Sequence, residues 1–396
     1  MNLRELFYQH IAQTSPEPLA IEIEKAEGVY LYTPDGKSYM DIISGISVSN
    51  VGHCHPEIVK AVNEQMGKYM HLLVYGEMIQ TPQVLLAQGL ANLLPENLDS
   101  VYFVNSGAEA IEGAIKLAKR FTGKTGLVSC ENAYHGSTNG AMSLMGNDDF
   151  TRSFQPLLPN CSRIRFGVAE DLEKITEDTA AFVVEVVQGE AGVRFADKNY
   201  WQQVRNRCDE TGTLLVFDEI QTGFGRIGTM FALEQTGITP DILTLAKAMG
   251  GGMPIGAFIS SKEIMQTLTY NPVLGHMTTF GGHPVCCAAA LASVEVIERE
   301  KLHILAEEKG QLFESLLAKL PQVKEFRRKG LMIAIEFGDR ELNFKLIHQC
   351  MEKGILSDWF LFCDTAMRIA PPLIITEEEI GKACDVIKDV INTEVV

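Results

Sequence analysis

The segment Thr213-Leu214-Leu215-Val216-Phe217-Asp218-Glu219 is an unbroken apolar run that ends in two acids. A strand with one wet face alternates polar and apolar residues. A run with no polar face must be covered on both sides, as in the interior of a parallel sheet. Similar short runs recur at 101–104, 126–130, 181–187, 242–245 and 256–260, separated by helical patterns. That rhythm predicts an α/β chain built on a βα-type parallel sheet. Ligands of such sheets bind beyond the carboxyl ends of the strands, where Asp218 would stand.

Two further segments carry chemistry at similar places. Leu243-Thr244-Leu245-Ala246-Lys247 ends an apolar run in a lysine that faces Gly250-Gly251-Gly252. Burying an ammonium is costly, and backbone without Cβ atoms lets a ligand approach, so the pattern suits an imine with an aldehyde cofactor; a snorkelling structural lysine is the alternative. Val101-Tyr102-Phe103-Val104-Asn105-Ser106-Gly107-Ala108-Glu109-Ala110 reads as strand, tight turn and helix. Ser106 and Glu109 form a capping-box pattern, yet small residues at a helix start also aim amides at an anion such as phosphate. Asp218 can keep a pyridine nitrogen protonated, or Asp218 or Glu219 can cap the turn that follows.

With 396 residues and 46% apolar content, the chain can bury a large core and is expected to form two domains. No apolar run approaches membrane-spanning length, and the start lacks a secretory apolar stretch, so no membrane contact and a cytoplasmic address are expected. Nine scattered cysteines without a Cys-x-x-Cys pair suit a reducing compartment, with Cys286-Cys287 as core residues of an Ala-rich helix. A formal charge of −17 and no basic patch argue against nucleic acid as a partner. Lys324-Glu325-Phe326-Arg327-Arg328-Lys329, the densest basic cluster, reads as a solvated turn. His53-Cys54-His55 lacks the further spaced ligands a zinc site needs, so no metal is expected. Gly223-Phe224-Gly225-Arg226-Ile227-Gly228 matches a dinucleotide fingerprint in letters only: it lies several residues past the strand end, and no acid closes a second strand about twenty positions on.

Four of these motifs, in order and spacing, carry a resemblance: Asn105-Ser106-Gly107-Ala108-Glu109-Ala110, Phe217-Asp218-Glu219-Ile220-Gln221-Thr222-Gly223, Leu245-Ala246-Lys247 with its glycines, and Thr279-Phe280-Gly281-Gly282. The chain resembles the class III aminotransferases, fold type I enzymes that use pyridoxal 5'-phosphate, from about Gly28 to Pro371-Pro372-Leu373. The resemblance implies a large domain with a mostly parallel seven-stranded sheet flanked by helices, plus a smaller α+β domain from both termini. The divisions are 1–52 joining the small domain, 53–292 binding the cofactor and 293–396 completing the small domain. Gly28-Val29-Tyr30-Leu31-Tyr32 with Pro34-Asp35-Gly36 is a hairpin signal in the first of these.

The resemblance also implies roles. Lys247 carries the cofactor link and then shuttles the proton; Asp218 pairs with the ring nitrogen; Gln221 bonds the phenolic oxygen; Ser106, Gly107 and Ala108 hold the phosphate. Tyr134, in Tyr134-His135-Gly136, stacks on the ring, with His135 beside it. Glu185 opens Glu185-Val186-Val187-Gln188-Gly189-Glu190, where Val186 replaces a usual proline. Thr279 resembles the threonine that reaches the phosphate of the neighbouring subunit, which implies a homodimer with active sites at the subunit interface. Arg368 resembles the arginine that forks onto a substrate carboxylate, and Glu190 the glutamate that neutralises it when no carboxylate is present; a structural ion pair between domains is the alternative.

By pattern, acetylornithine and ornithine aminotransferases are nearest, with 4-aminobutyrate enzymes next. Departures concern the donor. Ser137 stands where those enzymes commonly have an arginine, and Ile46 where the ornithine enzymes place a tyrosine. Val74-Tyr75-Gly76-Glu77-Met78 differs from the usual Asn-Leu-Tyr run; Glu77 either faces a substrate amine or is solvated. The expectation is an aminotransferase that moves an amino group from an ω-amino donor to a 2-oxo acid, 2-oxoglutarate before pyruvate. An aminomutase, decarboxylase or racemase on the same fold, or a non-catalytic cofactor-binding protein, are the competing readings.

Overall fold

A computed structural model describes residues 2–74 and 76–393. Its centre is a seven-stranded sheet of β1 (Ser100–Val104), β2 (Gly126–Cys130), β3 (Cys161–Ile164), β4 (Thr179–Glu185), β5 (Leu214–Asp218), β6 (Ile242–Leu245) and β7 (Gly256–Ser260). The strands lie in the order β1-β7-β6-β5-β4-β2-β3. β5 is parallel to β4 and β6, and β2 to β3 and β4, while β7 runs against both of its neighbours. Every residue of β4, β5, β6 and β7 is buried, which is why their sequences show no alternation.

Helix α1 (Gly107–Thr122) follows β1 directly. Ala110, Ile111, Ala114, Ile115, Leu117 and Ala118 form its buried stripe, and Gly123 stops it in the left-handed conformation at φ +71°. Gly113 brings the helix against the sheet: a Cβ there would stand 2.2 Å from Phe258. Helix α2 (Pro284–Arg299) buries Cys286 and Cys287 among alanines, as expected.

Two smaller four-stranded sheets flank this unit. In one, the hairpin of Tyr30–Tyr32 and Ser38–Asp41 is extended by the parallel strand Ile355–Leu356, so chain from both ends shares a sheet. The other is antiparallel: Glu325–Lys329, Met332–Glu336, Cys363–Ile369 and Asp358–Phe360. One continuous apolar cluster runs from Phe217 and Leu243 in the central sheet, through Phe224 and Ile227, to Ile333 and Ile369 in this antiparallel sheet.

The Lys324–Lys329 cluster is a strand rather than a solvated turn. Its alternation turns Arg327 inward, 5% exposed, where Nε donates to the Gly192 carbonyl at 2.6 Å and Nη2 to Glu336 at 3.0 Å. Arg328 pairs with Glu307 and Glu314 at 2.9 and 2.6 Å. Glu325 of the same strand also pairs with Arg327, but the other carboxylates come from outside the segment, where a local reading cannot see them. Among the described residues no helix is long and apolar enough to cross a membrane.

Candidate active site

Register places the acids together. Asp218 pairs with Glu185 on one side and Thr244 on the other, and Val104 lies opposite Gly256. The carboxyl ends of β1, β4, β5 and β6 and the start of β7 therefore converge. A cavity of about 550 Å³ opens there. Its walls include Ser106, Gly107, Ala108, Tyr134, His135, Ser137, Glu185, Glu190, Asp218, Gln221 and Lys247. Eleven residues read from scattered motifs thus share one space.

Asp218 is 4% exposed, and each of its oxygens is engaged. Oδ1 accepts the Ile220 amide at 3.0 Å, and Oδ2 lies 2.7 Å from His135 Nδ1. Burial lowers the His135 pKa, but the hydrogen bond to Asp218 and its charge prevail, so the imidazole sits above its ordinary value. His135 Nε2 is buried with no partner among the described residues. Glu185 accepts the amides of Tyr134 and Gly189 at 3.1 and 3.0 Å, bracing both loops. Burial pushes its pKa up to about 7. Glu219 points away from the cavity. It accepts the amides of Ala232 and Leu233 at the start of a short helix, with a pKa raised by burial to about 8. The cap on the following turn, left open for either acid, comes from Asp218 through the Ile220 amide, while Glu219 instead caps the short helix that starts at Leu233.

Lys247 follows β6 by one residue and is held in the left-handed region at φ +46°. That conformation is uncommon for a residue with a Cβ and costs on the order of 1 kcal/mol. Burial depresses the ammonium pKa and Arg368 lowers it further, against the attraction of Glu190, Asp218 and Glu185; the net value lies below the ordinary lysine range. No hydrogen bond or ion pair engages this ammonium among the described residues. A depressed pKa and an unengaged nitrogen are what a proton-shuttling amine requires.

At the start of α1, Ser106 Oγ accepts the Glu109 amide at 3.2 Å, which completes half of the capping box. The other half is displaced by one residue, because Glu109 Oε2 accepts the Asn105 amide at 2.8 Å. The amides of Gly107 and Ala108, in the first turn, have no intrahelical acceptor. A Cβ at Gly107 would meet Ile220 at 2.9 Å, so the floor beneath these amides has no room for a side chain.

Arg368, 3% exposed, lies outside the cavity lining, with Glu190 in the wall. Its Nη2 donates to Glu190 Oε2 at 2.6 Å and to the Trp359 carbonyl at 2.9 Å, and the guanidinium lies over Phe360 at 4.6 Å. Nε and Nη1 are buried without a partner among the described residues. Glu190 Oε2 also accepts the Leu361 amide at 3.0 Å. Burial raises the Glu190 pKa, but the charge and hydrogen bond of Arg368 outweigh it and hold the carboxyl below its usual value.

Besides Arg368, three expected residues stay outside the cavity lining of their own chain. Ile46 is half-buried at φ +64°, in a turn whose Val48 does line the cavity. Glu77 is exposed and borders a different groove with Tyr102, Val273 and Leu274. Thr279 is exposed, next to Phe280 at 53% and Met277 at 56%. Tyr75 lies outside the described residues. His53 pairs with Asp41 at 2.8 Å, while His55, Glu57 and Glu300 converge on the surface, with both Glu57 oxygens held by Arg299.

Sequence reasoning missed Val48, Met253, Pro254 and Ile255 in the cavity wall, since apolar wall residues carry no chemical signature. It also passed over Arg226, inside the glycine motif set aside as a false dinucleotide fingerprint. That stretch forms turns rather than a strand-to-helix elbow, and Arg226 is 0% exposed. A charged residue amid glycines was the available signal.

Comparison with known proteins accords with this geometry. The family described as Aminotransferase class-III matches residues 11–391. The chain is 42% identical to the acetylornithine aminotransferase of Methanocaldococcus jannaschii, over 94% of both chains. It is 38% identical to the putrescine aminotransferase of Pectobacterium atrosepticum, over 98% of this chain and 86% of that one. In structure it is similar to the ornithine aminotransferase of Toxoplasma gondii, solved with partial occupancy of PLP at its active site: TM-score 0.91 and 30% identity, covering 99% of this chain and 93% of that one. The chain belongs to the class-III aminotransferase family, and it is a fold type I transaminase that works with pyridoxal phosphate.

The residues fit that cofactor. Uncommitted amides over a bare floor at the start of α1 suit a phosphate, and a buried carboxylate stands in the same cavity as an unengaged lysine.

Proposed function

We propose that the chain transfers the terminal amino group of an ω-amino donor, of the ornithine or acetylornithine kind, to 2-oxoglutarate in two half-reactions that share one cavity. The observation that carries this reading is the Glu190–Arg368 pair at 2.6 Å beside Lys247. A buried arginine with two unsatisfied N–H groups suits a carboxylate. A buried glutamate already on it lets the same site accept a donor whose reacting end has no carboxylate.

In this reading Ser106, Gly107 and Ala108 hold the phosphate, Tyr134 covers the ring face, and Gln221 serves the phenolic oxygen. Pyridoxal phosphate, when bound, supplies an aldehyde carbon for the amine and a ring that withdraws electrons. Asp218, hydrogen-bonded to His135 Nδ1, would pair with the ring nitrogen and favour its protonated form. Lys247 Nζ, with its lowered pKa, carries the covalent link and then takes and returns the substrate proton. Glu185 does not need to touch the ligand: it fixes the Tyr134 and Gly189 loops around it. Ser137, 3.2 Å from the Tyr134 hydroxyl, offers a neutral hydrogen-bonding group in the cavity wall, and Ile46 lies two residues before the wall residue Val48.

The working unit is a homodimer. Support comes from the exposed apolar residues Leu73, Met78, Ile79, Val273, Met277 and Phe280 in segments that also carry Thr279 and Glu77. Thr279 and Glu77 would then serve the partner's cavity. Residues 1–52 and 293–396 form the small domain around 53–292, supported by the sheet shared between Ser38–Asp41 and Ile355–Leu356. Nine unpaired thiols suit a cytoplasmic setting.

Single half-reactions test the proposal. The holoenzyme is mixed with acetylornithine, ornithine, a diamine or 4-aminobutyrate, and loss of the aldehyde form of the cofactor is followed by absorbance. The aminated enzyme is then titrated with 2-oxoglutarate and pyruvate. Conversion by at least one ω-amine, reversed by 2-oxoglutarate, is expected; no conversion by any amine overturns the reading. Nitrogen-15 from the donor appears in the 2-oxo acid's product, whereas a mutase would keep it in its own.

A further inference from the structure

Arg226 is the largest charged side chain that is wholly buried, and it has no ion pair among the described residues. Oxygens from three separate segments surround it instead. Nη1 donates to the carbonyls of Leu331 at 3.0 Å and Pro371 at 2.6 Å. Nη2 donates to Ser44 Oγ at 3.2 Å and to Asn50 Oδ1. Two further bonds tighten the same junction: the Leu331 amide donates to the Arg226 carbonyl at 3.0 Å, and the Asn50 side-chain Nδ2 to the Phe224 carbonyl at 2.8 Å. Ser44 Oγ bridges onward to the Ala370 carbonyl at 2.7 Å. Gly330 permits this approach, since a Cβ there would stand 2.6 Å from the Gly228 amide.

Each acceptor bears on the cavity. Leu331 precedes the strand that pairs Ala334 with Arg368, and Pro371 follows Arg368 by three residues. Ser44 and Asn50 bracket the turn that puts Val48 in the cavity wall. Arg226 itself hangs from the loop that begins at Asp218 and includes the wall residue Thr222. Burying an unpaired guanidinium is costly: burial lowers its pKa to about 9, with the nearby charge of Asp41 opposing. A planar fork that ties three segments at fixed angles is a reason to bear that cost, and an ammonium on a flexible stem has no such geometry.

We propose that Arg226 is a positioning residue for substrate carboxylate binding: it locks the strand that carries Arg368 to the loop that carries Asp218, and so sets where Arg368 stands relative to Lys247. The inference rests on the reading of Arg368 as the carboxylate receptor. Misplacement by about 1 Å can cost on the order of a hundredfold in a positioned reaction, so a slack junction is expected to be visible in kinetics.

The test compares the holoenzyme with Arg226→Lys and with Ser44→Ala, which leaves Arg226 intact but removes the hydroxyl that links it to Ala370. Steady-state kinetics are measured with 2-oxoglutarate as the varied substrate, together with thermal melting. For Arg226→Lys we expect the KM for 2-oxoglutarate to rise about tenfold with kcat within about threefold, and for Ser44→Ala a smaller rise in the same direction. A merely structural role would lower the melting temperature and kcat while leaving KM in place; that result in both variants overturns the proposal. If Arg226→Lys does not fold, Ser44→Ala alone decides. Arg368→Lys serves as the control: if it leaves the KM for 2-oxoglutarate unchanged, the carboxylate reading itself has failed.

Discussion

His135 Nδ1 lies 2.7 Å from Asp218 Oδ2, and neither side chain is more than 4% exposed. The imidazole pKa is raised, because its bond to Asp218 and that residue's charge more than offset burial. A basic group whose pKa is higher folded than unfolded contributes stability in full below the unfolded value, about 6.5, and loses it as pH rises through the folded value. His135→Phe keeps the ring and removes the donor. The melting-temperature gap between wild type and variant is expected to be widest near pH 5.5 and to narrow towards pH 9. A gap that widens with pH would contradict the pairing.

Lys247→Ala removes the only lysine in the cavity wall among the described residues. Transaminase activity is expected to fall at least about a thousandfold. Mass spectrometry after borohydride reduction should find the cofactor on residue 247 in wild type and on no lysine in the variant. Turnover within tenfold of wild type would remove Lys247 from its proposed role.

Glu190→Gln leaves Arg368 with its charge unbalanced beside the cavity. The expected outcome is opposite effects on the two half-reactions: tighter binding of the 2-oxo acid and slower reaction of an amine without a nearby carboxylate, each by about tenfold. Separate half-reaction rates check it. Equal losses in both would favour the structural ion pair.

Glu219 gives a pH dependence of opposite origin. Its pKa is raised from the carboxylate range to about 8, so the folded state holds a proton that the unfolded state has released. Stability from this group falls as pH climbs from about 4.5 to 8, by up to about 1.4 kcal/mol per unit. Glu219→Gln removes the titration and keeps one of the two acceptor oxygens that meet the Ala232 and Leu233 amides, so its constant cost is separable from the pH-dependent part. The variant should gain on wild type steadily between pH 5 and pH 8 in thermal melts, and a constant difference would sink the assignment.

What was legible in the sequence follows from where the information lies. Strands β4 to β7 are buried on both faces, so their runs are uniform and readable. Asp218, Lys247 and Ser106 follow strand ends, which places them at one edge of the sheet before any contact is known. The Arg327 and Arg328 strand was misread because, apart from Glu325 within it, its counter-charges Glu336, Glu307 and Glu314 come from other elements. Arg226 escaped for a related reason: its four acceptors are two main-chain carbonyls, a hydroxyl and an amide, none of which announces itself as a partner in a string of letters. Thr279 and Glu77 are exposed in a single chain, so the roles proposed for them require a second copy.

The reversed direction of β7 bears on how the molecule assembles. Leu245 lies opposite Ala257, so Lys247 sits in the short connection of a hairpin whose pairing is local in sequence. Asn105, His135, Glu185 and Asp218 are brought to it only by longer closures, the shortest being the 26 residues between Asp218 and its register partner Thr244. Local pairing forms early and distant closure late. The amine is therefore expected to be in place before its acidic surroundings, so that recovery of the bound cofactor's colour during refolding should mark the last steps of folding rather than the first.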